Sequence, residues 1–185
     1  MRAWLHQIAS PLGPLTLAAD ARGTLVYLGF GERDPRHRLL QALDPEAAGL
    51  ALDSGLLEPA IRQLEAYFRG ELRDFDLPLD PRGTPFQLRV WAELRRIPYG
   101  TTLSYGELAR RLGDPNLTRA VGAANGANPI SIIIPCHRVI GADGSLTGYG
   151  GGLEVKRGLL ALEKPESGRL FVQQGDGFHV LGEGE

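Results

Sequence analysis

Within Pro135-Cys136-His137-Arg138-Val139-Ile140 stands the chain's one cysteine, with a histidine and an arginine after it and the apolar run Ile132-Ile133-Ile134 before it. A thiolate is the strongest nucleophile an ordinary side chain offers near neutral pH. A free thiol titrates at about 8.5, and a neighbouring imidazole or positive charge lowers that value. One reactive sulfur without a second cysteine to resolve it points to chemistry that ends at the sulfur and away from a redox sensor. The alternative reading is a buried, inert thiol. For His137 to act as base, the chain must turn at Cys136 or a water must bridge, because adjacent side chains of a regular strand point to opposite faces. The base also needs an orienting partner, usually a carboxylate on its far nitrogen. Glu163 is the candidate, because an acid in the last turn of a helix sits there against the macrodipole. Glu154 is its competitor.

The elements that must position these groups fall into three zones. Residues 1–83 carry two short β-like runs, Leu15–Ala19 and Leu25–Phe30, separated by the turn Asp20-Ala21-Arg22-Gly23. Leu57, Ile61, Leu64 and Phe68 recur at helical spacing, so residues 56–69 read as an amphipathic helix ended by Gly70. The Pro- and Gly-rich stretch 77–83 is the expected domain boundary. Residues 84–164 begin as a helical zone. Thr84-Pro85 opens a helix with proline in its first turn, burying Phe86, Val90, Trp91 and Leu94. Ser104 and Glu107 form a capping box for a second helix, Asp114-Pro115-Asn116 is a turn, and a third helix runs from about Leu117 to Asn125. Ile130 through Ile134 reads as a buried strand or extended run leading to the cysteine. Leu153 to Lys164 reads as a final helix. Residues 165–185 form a tail that either adds a hairpin or frays.

The second and third helices, joined by a tight turn, make a helix-turn-helix pattern. Ala120, Gly122, Ala123 and Ala124 give the third helix very small side chains, suited to close approach by another helix or by DNA. The same pattern also occurs in helix pairs that bind nothing. Charge divides along the chain. Residues 1–83 balance at −3, residues 84–164 at +4 and residues 165–185 at −3, within an overall −2. The basic segment is the one holding the cysteine, and a basic face is the electrostatic footprint of a polyanion. The loop Tyr149-Gly150-Gly151-Gly152 lacks the setting of a dinucleotide or phosphate loop, so a nucleotide cofactor is not expected. One cysteine excludes an intramolecular disulfide and a thiolate metal cage, and His6, His37, His137 and His179 are scattered. No metal is expected, and a reducing, cytoplasmic location is. No apolar run approaches the roughly 20 residues of a bilayer span.

Together, these residues resemble one family, the O6-alkylguanine-DNA alkyltransferases, also called methylated-DNA–protein-cysteine methyltransferases. Phe86-Gln87 to Trp91, Ile97-Pro98-Tyr99-Gly100-Thr101, Ser104-Tyr105, Arg119-Ala120-Val121-Gly122, Asn128-Pro129 and the segment 135–140 recur in that family's order. Thr147-Gly148-Tyr149 and Lys156 through Leu159-Leu160 complete the pattern. The resemblance implies an α/β (α+β) fold: a small mixed β-sheet domain over 1–83, a helical, winged-helix-like domain with a helix-turn-helix over 84–164, and a tail over 165–185.

It also implies residue roles. Cys136 attacks the alkyl carbon on guanine O6 and keeps the group, so each molecule acts once. His137 takes the thiol proton, Glu163 orients His137, and Asn128 braces the turn before Cys136. The DNA-binding set is Tyr105, Arg119, Ser104, Gly106, Thr118, Ala120 and Gly122, with Arg119 entering the stack where the flipped base was. Tyr105, Val139, Tyr149, Gly150 and Gly151 line the base pocket. The implied partner is double-stranded DNA carrying O6-alkylguanine, approached from its minor groove by a monomer, with O4-alkylthymine a second candidate lesion. Gly150 stands where many relatives carry Ser or Ala, and Ser131 where some carry Pro. In related alkyltransferase-like proteins a Trp replaces the cysteine. A non-catalytic protein that binds the alkylated base and flags it for other repair is therefore the alternative reading.

Overall fold

The computed structural model describes residues 3–31, 50–52, 55–164, 170–174 and 177–181. Four strands form the first sheet: β1 (Ala3–Ile8), β2 (Leu15–Ala19), β3 (Leu25–Phe30) and β4 (Leu50–Leu52), in the order β3-β2-β1-β4. β1 and β3 both run antiparallel to β2, and β4 is parallel to β1, so the sheet is mixed. β2 is buried along its whole length, which a central strand covered on both faces requires. Asp20 makes the hairpin turn by accepting the backbone N–H groups of Arg22 and Thr24 on one carboxylate oxygen.

Helix α1 (Glu58–Phe68) buries Ala60, Leu64, Tyr67 and Phe68 against that sheet and the later helices. The chain then passes β3 twice. Leu25 exchanges backbone hydrogen bonds with Pro78 and Asp80, and Leu28 does the same with Pro129 and Ser131. The edge of the first sheet is therefore covered by the two connections that matter most for the site. One leads into the helices and the other leads to Cys136.

Helix α2 (Pro85–Leu94) starts in a full capping box between Thr84 and Gln87, with Val90, Trp91 and Leu94 buried. The Trp91 indole donates to the Ala124 carbonyl at 2.8 Å, locking α2 to the last helix of the pair that follows. That pair is α3 (Tyr105–Arg111), capped by Ser104 and Glu107, and α4 (Thr118–Gly126), with a 3-10 turn at Pro115–Leu117 between them. Strands β5 (Leu103–Ser104) and β6 (Val139–Ile140) pair in parallel beside the helices. Helix α5 (Leu153–Glu163) follows the glycine-rich loop, and β7 (Leu170–Gln174) and β8 (Gly177–Leu181) form a terminal hairpin. Among the described residues, no helix is long and apolar enough to cross a membrane.

Two sequence expectations change. Ile130 through Ile134 is a turn, not a strand: only Ile130 makes a bridge, and Ile132 sits at φ 71, a left-handed conformation that β-branched residues rarely adopt. Ile132 is nonetheless 1% exposed, so burial of its side chain holds the strained backbone in place. Strand β1 carries no clean alternation and was not expected from the sequence. His37 and residues 165–169 and 182–185 lie outside the described residues.

Candidate active site

Cys136 opens a 3-10 turn, Cys136–Arg138, instead of continuing a strand. That turn puts His137 and Arg138 on the same side, toward the end of α5. His137 Nε2 lies 2.7 Å from Glu163 Oε1, and both side chains are buried, at 0% and 1% exposure. Arg138 binds the same carboxylate through Nε at 2.9 Å and Nη2 at 3.0 Å, and donates through Nη1 to the Ile97 carbonyl at 2.6 Å. Tyr67 on α1 adds a fourth donor, its hydroxyl 2.7 Å from Oε1. The competing acid, Glu154, pairs with Arg157 on the surface and takes no part.

Burial works to raise the Glu163 pKa, and the adjacent His137 and Arg138 outweigh it, bringing the carboxyl down to about 2. An ionised carboxylate only accepts hydrogen bonds, so Nε2 of His137 must carry the proton it shares with Oε1. In the neutral ring this leaves the lone pair on Nδ1. That atom is buried and has no hydrogen-bond partner among the described residues. The protein has thus fixed one tautomer and left a basic nitrogen unused beside the thiol's own turn.

The turn is held from behind. Asn128 Nδ2 donates to the Ile134 carbonyl at 2.8 Å while its Oδ1 accepts from the Ile130 N–H at 3.0 Å, so one side chain spans the left-handed kink. Asn125 Nδ2 reaches the Cys136 carbonyl at 3.3 Å. Gly100 sits at φ 76 with the Glu163 carbonyl where a Cβ would be, 2.9 Å away, so only glycine lets the Tyr99-Gly100 corner close on the end of α5. Lys156, fully buried, donates to the carbonyls of Val139 and Thr147 at 2.6 and 2.9 Å. Burial lowers its pKa, and the charge on Cys136 opposes that shift.

The other predicted residues divide into groups. Tyr105, Thr118, Arg119, Gly122, Tyr149 and Gly150 line one groove of about 560 Å³ between α3, α4 and the 147–150 loop. This is within the size range of ligand sites. Arg119 and Thr118 are exposed, and the Arg119 guanidinium makes no hydrogen bond or ion pair among the described residues. The Tyr105 hydroxyl donates to the Thr147 carbonyl at 3.1 Å, tying α3 to the loop across the groove. Ser104 and Gly106 flank Tyr105 but do not line the groove, and the Ser104 hydroxyl is engaged in capping α3. Ala120 is exposed on α4 outside it. Val139 lies in the core under Lys156, and Gly151 lines a separate small gap with Phe30 and Ser131.

Cys136 is 4% exposed and does not itself line the groove. Tyr149 belongs to both places. It lines the groove, and its phenol is pushed well above the ordinary value by burial and then by the charge of Cys136. Sequence reasoning missed Tyr67 and Asn125. Tyr67 stands 96 positions from Glu163, and nothing local marks it. Asn125 closes a run of small helix residues, where a buried amide is the one departure in type.

Known proteins resemble this chain over most of its length. The family model described as 6-O-methylguanine DNA methyltransferase, DNA binding domain, matches residues 85–165, and the model for the ribonuclease-like domain of the same proteins matches residues 5–81. A methylated-DNA–protein-cysteine methyltransferase of Mycobacterium tuberculosis is 54% identical over 158 residues, 85% of this chain and 90% of that protein. One from Methanosarcina acetivorans is 49% identical over 154 residues, 83% of this chain and 94% of its own length. Among solved structures, Mycobacterium tuberculosis OGT in complex with DNA superposes with a TM-score of 0.77 at 51% identity, covering 89% of this chain and 93% of that one. The chain belongs to the 6-O-methylguanine DNA methyltransferase family.

Proposed function

We propose that this chain is a methylated-DNA–[protein]-cysteine S-methyltransferase that repairs O6-alkylguanine in double-stranded DNA by moving the alkyl group to Cys136, once per molecule. The observation that carries this reading is the buried relay His137–Glu163. An ionised carboxylate fixes the histidine tautomer and leaves Nδ1 as an unused base on the residue that follows the chain's one cysteine.

The chemistry follows from that arrangement. Nδ1 accepts the thiol proton, through a water where the distance requires one, and Glu163 stabilises the resulting imidazolium. The sulfur then attacks the alkyl carbon in line with the C–O bond. A carbon–sulfur bond forms, the carbon–oxygen bond breaks and its electron pair leaves on guanine, whose ring takes up one proton from solvent as the imidazolium gives the thiol's proton back. The thioether has no reverse path in the protein, so the reaction stops at one equivalent. Lys156 holds the Val139 and Thr147 carbonyls in the same buried region.

The alkylated oxygen faces the interior of a duplex, so the nucleotide must leave the stack, at a cost of about a few kcal/mol that is least for a poorly paired base. Arg119, exposed and unpaired at the groove, is suited to fill the gap. Minor-groove readout is largely blind to sequence, which suits repair in any context. Gly122 supports the same docking face. A Cβ there would meet the Tyr105 ring at 3.9 Å, ordinary contact, so internal packing does not require a glycine and the missing side chain serves the open side. The lone cysteine suits a reducing compartment, the cytoplasm.

The non-catalytic alternative leaves the His137–Glu163 relay without a purpose. A duplex carrying O6-methylguanine separates the two readings. This proposal expects one ordinary guanine restored per protein molecule. Binding without any restored guanine overturns it.

A further inference from the structure

We propose that Tyr67, contributed by the N-terminal half, is a positioning residue for alkyl transfer, its hydroxyl fixing the carboxylate that fixes His137. The inference rests on the transfer reaction proposed above and extends its machinery to a helix outside the thiol-bearing half. Glu163 Oε1 carries the key contact with His137 at 2.7 Å, and the Tyr67 hydroxyl approaches the same oxygen at the same distance. Arg138 supplies the remaining donors, one to Oε1 and one to Oε2. Oε1 is therefore pinned from three directions, and its charge is shared among three protons rather than concentrated on the imidazole.

Tyr67 is built for this position. It is 0% exposed. Its ring packs edge-on against Phe68 and Tyr99 at 5.4 and 6.2 Å and tilted against Phe75 at 5.4 Å, so the hydroxyl has one direction to point. Burial first, then the neighbouring Glu163, raises the phenol well above its ordinary value, so it stays a proton donor at any physiological pH. Tyr67 reaches from α1 to the single carboxylate that orients the candidate base. The titratable and charged groups facing Glu163 are His137 and Arg138 from the Cys136 turn, Tyr67 from α1, Tyr99 from the corner after α2 and Tyr149 from the glycine-rich loop, with Arg73 stacked on the outer side of Tyr99.

The test is single-turnover transfer from an O6-methylguanine duplex across pH, with Tyr67→Phe, the full-length wild type, and Tyr99→Phe as a control. Tyr99 also donates through its hydroxyl, but to the Leu162 carbonyl at 3.3 Å and not to the carboxylate. Tyr67→Phe is expected to slow transfer at saturating duplex by about 10-fold, with duplex Kd within about 2-fold of wild type. The acid limb of its pH–rate profile should move upward by on the order of half a pH unit, because a carboxylate with one donor fewer holds the imidazole proton more strongly. The low-field NMR signal of the His137 ring N–H should move with it. Difluorotyrosine at position 67, a stronger donor of nearly the same shape, should move the limb and the signal the opposite way, and it serves if Tyr67→Phe does not fold. A pH profile and ring signal unchanged in these variants, or changed equally in Tyr99→Phe, overturns the role of Tyr67. Failure of the wild type to transfer at all overturns the proposed function instead.

Discussion

The groove and the relay are two ways of organising charge in one molecule. In the groove, Arg119 stands in solvent without a partner among the described residues, glycine and alanine leave the α4 surface bare, and the Tyr105 hydroxyl ties α3 to the loop through the Thr147 carbonyl. In the relay, four hydrogen bonds converge on one carboxylate that is 1% exposed, and helix ends from both halves of the chain meet there. A binding face that accepts any sequence gains from being open, because its energy comes from contacts made only when the duplex arrives. A group that must present one lone pair in one direction gains from being fixed beforehand, since no reorganisation remains at the moment of reaction. The difference predicts that changes in the relay alter transfer and folding together, whereas changes in the groove weaken binding without destabilising the fold.

Glu163→Gln should break the relay hardest. It leaves Arg138 buried without its anion and puts an NH2 donor in place of one of the two oxygens that accept from His137, Arg138 and Tyr67. Transfer should fall by about 10²- to 10⁴-fold in single-turnover assays. The free energy of unfolding in urea should fall by about 3–5 kcal/mol. An unchanged unfolding midpoint would mean the relay is not the structural centre described here.

Acid should reveal the same group in the wild type. The folded Glu163 carboxyl titrates at about 2, below its ordinary 4.5, so the folded state holds it ionised where the unfolded chain takes up a proton. The stability it contributes is complete above about pH 4.5 and is lost as pH falls toward 2, on the order of 3 kcal/mol in all. Urea unfolding followed through that window should steepen in the wild type and flatten in Glu163→Gln.

The groove should respond differently. Arg119→Ala removes no intramolecular bond, so thermal stability should stay within about 0.5 kcal/mol, while affinity for a lesion duplex falls by about 10-fold. Gly122→Ala sharpens the contrast further. An alanine there makes only ordinary contact with Tyr105 and favours the helix by about 0.5–1 kcal/mol, so the protein should become slightly more stable while binding DNA a few-fold less well. Loss of stability in Gly122→Ala would mean the small residues of α4 serve packing and not an approaching partner.

How much of this the sequence disclosed follows the range of the forces involved. Caps and helix stops are local, and Ser104 with Glu107, Thr84 with Pro85, and the helix ended by Gly70 all appear in the structure. Glu163 could be chosen over Glu154 from its opposition to the helix dipole, since an unfavourable position implies a compensating partner. The run Ile130 through Ile134 was misread because burial alone does not distinguish a strand from a tight turn, and the left-handed Ile132 is held by long-range packing. The separate 3-10 turn at Cys136–Arg138 takes Cys136 and His137 out of the strand geometry in which adjacent side chains would point apart. Tyr67 was invisible because its partner is remote in sequence and because a helix with aromatic residues on its inner face reads simply as core.

The most direct measurement is intact-protein mass spectrometry with peptide mapping after incubation with excess O6-methylguanine duplex. The account predicts a single added methyl group, confined to the peptide containing Cys136, that never exceeds one equivalent and is absent in Cys136→Ser although that variant still binds the duplex. An unmodified Cys136 at saturating substrate, or guanine restored in excess of the protein present, would contradict it.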